Sequence, residues 1–152
     1  MKKAILLLII LYTGSLLANS IVTNRHVSYN SYTKTLSFTG GVWDNRFILP
    51  LQGDLTKYRA LHFDCKNASS SFRIIVEYYD IDGTLCSKTF YQYINTPKSC
   101  VKEIILSDNP DFMYCGEITR IQISMINGDN YIELNGIYLE DLKRNKTEIR
   151  LE

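Results

Sequence analysis

The residues best equipped for ligand chemistry fall in two stretches. Trp43, Asp44, Asn45 and Arg46 follow closely on Gly40-Gly41, and Tyr78, Tyr79, Tyr91 and Tyr93 gather near Arg73 and Glu77. A flat aromatic face stacks on the apolar side of a pyranose, while amide, carboxylate and guanidinium groups beside it exchange paired hydrogen bonds with hydroxyls. Trp43, the one tryptophan, has two readings: a ligand platform, or the core plug that a single tryptophan of a small domain more often becomes. The chain's 11 tyrosines offer rigid, amphipathic contact area at low entropic cost. Tyr79, Tyr91 and Tyr93 either form a polar-aromatic trough with Arg73 and Glu77 or make cross-strand pairs that stabilise a sheet.

Catalytic chemistry has thinner support. His62 stands beside Asp64 on one face of a short strand, as an acid/base pair could, but a solvated polar face accounts for the same pattern. No serine or cysteine sits in a nucleophile-elbow context, and no pair of carboxylates is spaced so as to mark a glycosidase. The expectation is a protein that is not an enzyme. The two histidines, His26 and His62, and the absence of any CxxC spacing exclude a cysteine-ligated zinc. Cys65, Cys86, Cys100 and Cys115 are even in number, which in an oxidising compartment suggests two disulfides. Cys65 ends the strand Leu61 to Asp64 and Cys115 precedes a strand starting near Ile118. As antiparallel neighbours these would bring Cys65 to Cys115, leaving Cys86 and Cys100 to pair by default.

The elements that must position these groups are strands. In Phe72 to Tyr93, two runs rich in Ile, Val, Tyr, Phe and Thr flank Asp80-Ile81-Asp82-Gly83, the signature of a hairpin. Phe72, Ile74, Val76 and Tyr78 share one face, and Arg73, Ile75, Glu77 and Tyr79 the other. Such a hairpin needs further strands to cover it. They are supplied by Tyr32 to Phe38, the Pro50-containing stretch from Val42 to Leu51, Leu61 to Cys65, Val101 to Leu106, Ile118 to Ile126 and Tyr131 to Leu142. Residues 21–31 read as an edge or loosely held segment. No useful helical period, repeat or low-complexity linker interrupts the pattern, which is all-β: an antiparallel β-sandwich or jelly roll of about seven to nine strands.

Lys2-Lys3, the apolar run from Ala4 to Leu11 and the small residues Ala18-Asn19-Ser20 have the architecture of a signal peptide over residues 1–20. The run is too short to span a membrane. Residues 21–142 then form one β-sandwich domain, and 143–152 a charged C-terminal tail expected to fray. The product is expected to be secreted or periplasmic by bacterial-type export. A net charge of +1 with scattered basic residues excludes nucleic acid as partner.

The stretch Gly53-Asp54-Leu55-Thr56-Lys57-Tyr58-Arg59-Ala60-Leu61-His62-Phe63-Asp64 resembles the opening of galactose-binding-like β-sandwiches, the jelly-roll fold of many carbohydrate-binding modules. The likeness continues through Tyr79-Asp80-Ile81-Asp82-Gly83, Ile118-Thr119-Arg120-Ile121-Gln122-Ile123 and Tyr131-Ile132-Glu133-Leu134-Asn135-Gly136-Ile137-Tyr138-Leu139. It spans Leu36 to Leu142; four cysteines are more than such modules are expected to carry. What it implies is a non-catalytic domain binding an oligo- or polysaccharide through Trp43, Asn45, Arg46, Arg73, Glu77, Tyr79, Tyr91 and Tyr93. The alternative is a structural or adhesion domain whose tyrosines contact a surface protein. No cofactor is implied beyond a structural calcium, for which Asp80, Asp82, Glu140 and Asp141 are the available acids.

Overall fold

The computed structural model describes residues 23, 26–40, 45–107, 112, 115–125 and 128–151; the expected export segment, residues 1–20, lies outside them. Ten strands run through the described residues: β1 (Val27–Asn30), β2 (Thr35–Phe38), β3 (Arg46–Asp54), β4 (Tyr58–Ala68), β5 (Phe72–Asp80), β6 (Leu85–Gln92), β7 (Lys98–Ile105), β8 (Cys115–Met125), β9 (Asn130–Asp141) and β10 (Lys146–Glu148). One turn of 3-10 helix, Leu55–Lys57, separates β3 from β4. No helix among the described residues is long and apolar enough to cross a membrane.

The strands form two antiparallel sheets. One has the order β3-β8-β5-β6; in the other β1-β2-β9-β4-β7 are neighbours, and β10 also pairs with β9. Period-2 alternation sends every second side chain into the space between them. From the first sheet come Phe47, Leu49, Phe72, Ile74, Val76, Ile121 and Ile123, and from the second Leu36, Leu61, Phe63, Ile104, Ile132, Ile137 and Leu139, all buried in one cluster. Aromatic contacts link the layers: Phe63 on β4 meets Phe72 on β5 with ring centroids 5.4 Å apart, and Tyr29 on β1 meets Phe47 on β3 at 5.9 Å.

The β5–β6 hairpin is closed by the turn the sequence signals. Asp80 Oδ1 accepts the backbone N–H groups of Asp82 and Thr84 at 2.9 and 2.8 Å, and Gly83 adopts φ 78°, where a side chain would be strained.

Two expectations are corrected. Residues 143–152 do not fray throughout: β10 pairs with β9, the Ile149 N–H donates to Ile137 O at 2.8 Å, and the Ile149 side chain enters the core. Residues 26–30, within the segment expected at an edge or loosely held, form a turn and β1, the edge strand paired with β2. The cysteine pairing also changes, because β4 and β8 lie in different sheets and Cys65 cannot meet Cys115 as a strand neighbour. Cys86 on β6 and Cys100 on β7 are separated in the same way, and all four cysteines are free thiols here.

Because Phe63 touches both layers, Phe63→Ala should lower stability by about 3–5 kcal/mol, the cost of a cavity left by a buried phenylalanine. Urea unfolding followed by far-UV circular dichroism measures it, with an unchanged slope against denaturant and a lower midpoint expected.

Candidate functional site

The outward face of the four-stranded sheet assembles most of the candidate residues in rows set by strand register. Arg46, Ser124, Arg73 and Tyr91 form one row across β3, β8, β5 and β6. Ile48, Gln122, Ile75 and Thr89 form the next, followed by Pro50, Arg120, Glu77 and Ser87. Beyond them Tyr79 lies opposite Leu85.

A hydrogen-bonded chain fixes the middle of this face. Arg46 Nη1 donates to Gln122 Oε1 at 2.9 Å, Gln122 Nε2 donates to Glu77 Oε1, and Arg120 Nε donates to Glu77 Oε2. Both ends of the Gln122 amide and both Glu77 oxygens are therefore engaged, which sets their orientation. Gln122 is 2% and Glu77 9% exposed, so these polar groups are enclosed although they point away from the core. Arg73 Nε donates to Ser124 Oγ in the neighbouring row.

Aromatic rings stand at either end. Tyr91 and Tyr93 stack at 6.0 Å with an interplanar angle of 18°. Both are exposed, Tyr93 at 71%. At the other end Tyr79 and Leu85 border an open depression of about 400 Å³, whose remaining lining is Ile48, Pro50, Thr119 and Arg120. The tyrosines are not cross-strand partners of one another: Tyr91 faces Arg73, Tyr79 faces Leu85, and Tyr78 turns inward against Phe112.

Arg46, Arg73, Glu77, Tyr79, Tyr91 and Tyr93 thus belong to one face or its margin. Asn45 does not join them in the expected role. It is 3% exposed, and its amide donates to the carbonyls of Thr39 and Gly40, both at 2.8 Å, so it fastens the chain ahead of β3. Trp43 lies outside the described residues. Arg120, Gln122 and Ser124 were missing from the candidates, although their alternation with Ile121, Ile123 and Met125 marks them in the sequence as one outward face.

The second sheet carries another polar cluster on its outward side. His62 Nε2 lies 2.6 Å from Glu140 Oε2, and Arg59 donates to both Glu140 and Glu103. His62 therefore pairs with Glu140 and not Asp64, whose Oδ1 accepts the Asn135 amide at 3.1 Å. Ligand atoms of His62, Glu103 and Glu140 come within 4.8 Å of one another, as a metal would need, but the Arg59 guanidinium already bonds both carboxylates. Two of the other acids considered for calcium serve turns: Asp80 accepts backbone N–H groups after β5, and Asp141 does the same after β9.

Arg59 first, and His62 after it, hold the Glu140 carboxyl down at about 2 against the opposing effect of burial. A lowered carboxyl favours the native state above its ordinary value of 4.5, and that stabilisation is lost as pH falls from there through about 2. Urea midpoints measured across this acid range should fall more steeply in the wild type than in Glu140→Gln, which has no carboxyl to protonate at this position.

No protein-family model matches the sequence, and no curated protein does either. Among solved structures, the chain is similar to the family 11 carbohydrate-binding module of the cellulosomal cellulase Lic26A-Cel5E of Clostridium thermocellum, at 15% identity and TM-score 0.47, with 92% of each chain covered. It is also similar to a carbohydrate-binding module specific for non-crystalline cellulose (CBM28), at 10% identity and TM-score 0.41, covering 86% of this chain and 87% of that one. A third similarity is to the enzymatically active domain of bacteriophage CBA120 tailspike protein 4, at 11% identity and TM-score 0.39, covering 75% of this chain and 18% of that one.

Proposed function

We propose that this protein binds an oligo- or polysaccharide, without catalysis, on the outward face of the β3-β8-β5-β6 sheet. The observation that supports this reading is the combination, on one face, of exposed tyrosine rings at both ends with a hydrogen-bonded chain of guanidinium, amide and carboxylate groups across its middle. Tyrosine faces suit the apolar side of a pyranose, and forked guanidinium or amide groups suit neighbouring hydroxyls. Arg73 and Tyr79 are separated along β5 by roughly 20 Å of strand, a length that suits several sugar rings in a row.

Binding is favoured over hydrolysis by the state of Glu77. As the carboxylate in the middle of the face, it is tied through both oxygens to Arg120 and Gln122, and so is poorly placed to transfer a proton or attack a substrate. The reading includes export to a periplasm or beyond the cell, for which the signal-peptide architecture of residues 1–20 is the support.

Affinity electrophoresis against a panel of soluble polysaccharides tests the proposal. The wild type should be retarded by at least one of them. Tyr91→Ala and Tyr79→Ala should each weaken retention by roughly tenfold in Kd, about 1.4 kcal/mol, with unchanged far-UV spectra. Tyr138→Ala, on the other sheet, should bind as the wild type does. Absence of retardation by every glycan, or full retention in both variants, would overturn the reading in favour of a protein-contacting surface.

A further inference from the structure

Cys65 on β4 and Cys100 on β7 are direct partners in the antiparallel ladder. Opposed residues of such a ladder have Cα atoms about 4.5–5.5 Å apart and side chains on the same face, inside the ~4.4–6.8 Å that a disulfide spans. Cys65 is buried in the core and Cys100 packs against it, partly open to solvent. Cys86 and Cys115 are arranged differently. They flank β5 on opposite sides, Cys86 facing Tyr78 and Cys115 facing Asp80. Two inter-strand spacings, roughly 9–10 Å, therefore lie between their backbones, with a two-residue offset added, beyond the ~7 Å limit for bridging without backbone movement.

We propose that Cys65 and Cys100 are the site of a single cross-strand disulfide that fastens the edge strand β7 to β4, and that Cys86 and Cys115 remain thiols. The oxidant is another disulfide, either a small molecule such as glutathione disulfide or a dithiol-disulfide protein. Cys100 is the sulfur that reacts first, because it reaches solvent and the neighbouring Cys65 thiol holds its own thiol below the usual value. The Cys100 thiolate attacks one sulfur of the oxidant, forming a mixed disulfide and releasing one thiolate. Cys65, whose thiol is pushed up by Cys100 and by burial, then gives up its proton and attacks the Cys100 sulfur. A second thiolate leaves. Two cysteine thiols are oxidised to one disulfide, the oxidant disulfide is reduced to two thiols, and the two protons lost by the cysteines end on the departing thiolates. Burial meanwhile holds the Cys115 thiol up at about 11, which keeps it protonated and unreactive. The bridge lies in the sheet opposite the tyrosine face, so it forms or fails independently of ligand binding.

The full chain, purified reduced, is incubated in a glutathione/glutathione disulfide buffer, quenched with acid, and alkylated under denaturing conditions. Two of the four thiols should become protected, and a non-reducing peptide map should contain one linked species joining Cys65 to Cys100. The melting temperature should rise by roughly 5–10 °C and return on adding reductant. In Cys65→Ser, Cys100 should accumulate as the glutathione mixed disulfide, whereas in Cys100→Ser the buried Cys65 should stay unmodified. A linked peptide containing Cys86 or Cys115, or four alkylatable thiols after oxidation, would overturn the assignment. The wild-type map decides this even if a variant fails to fold.

Discussion

A carboxylate that water barely reaches must be given partners, and the face of the four-stranded sheet is built around that requirement. Glu77 projects outward from β5, yet it is only 9% exposed, and an unpaired charge in such a place would cost several kcal/mol. Its partners come from β8, where Arg120 and Gln122 each take one oxygen, and Gln122 in turn accepts from Arg46 on β3. Three strands are thus held in one register by one cluster. Slipping β8 by a single residue would bring Ile121 to Glu77 and turn Gln122 into the core, so the polar cluster and the apolar layer beneath it enforce the same alignment.

The second sheet meets a similar constraint with a different result. Arg59 joins Glu140 on β9 to Glu103 on β7, and His62 between them completes the cluster on β4. There the nearby tyrosine lies flat against the backbone: a Cβ at Gly136 would stand 2.6 Å from the Tyr138 hydroxyl, so the ring occupies space that only glycine leaves open. Both outer faces therefore contain pinned charges. Among the described residues, only the first combines them with rings exposed at each end, which is why we propose binding there.

How much of this was legible in the sequence follows from the range of each interaction. Alternation is local, and the runs Phe72 to Tyr79 and Ile118 to Met125 revealed both their strands and the sides on which Arg73, Glu77, Tyr79, Arg120 and Gln122 stand. Strand adjacency is not local. The pairing of Cys65 with Cys115 failed because it needed β4 and β8 to be neighbours, and a sandwich is free to place successive alternating runs in different sheets. The tail misled for a related reason: Lys143 to Glu152 is mostly charged, and the two apolar residues that dock it, Ile149 and Leu151, make an alternation too short to mark a strand. Asn45 looked like a ligand group because its neighbours do. Its amide is instead consumed by the carbonyls of Thr39 and Gly40, a contact that residue type alone cannot distinguish from one to a hydroxyl.

The same fixity that satisfies Glu77 bears on how well such a face could hold a flexible ligand. Association must overcome lost translation and the ordering of side chains, about 0.5–1.5 kcal/mol for each rotamer-rich group that is immobilised. Arginines free in solution would be expensive in that respect, but Arg46 and Arg120 are already positioned by Gln122 and Glu77. Tyr91 and Tyr93 are ordered against each other by stacking, and a tyrosine has only two side-chain torsions to restrain. The ordering cost has thus been met on folding, by interactions whose primary effect is to keep a buried carboxylate paired. A surface prepared in this way can recognise an extended, hydroxyl-rich chain with modest contacts at each ring, because little of the contact energy is spent on arranging the protein.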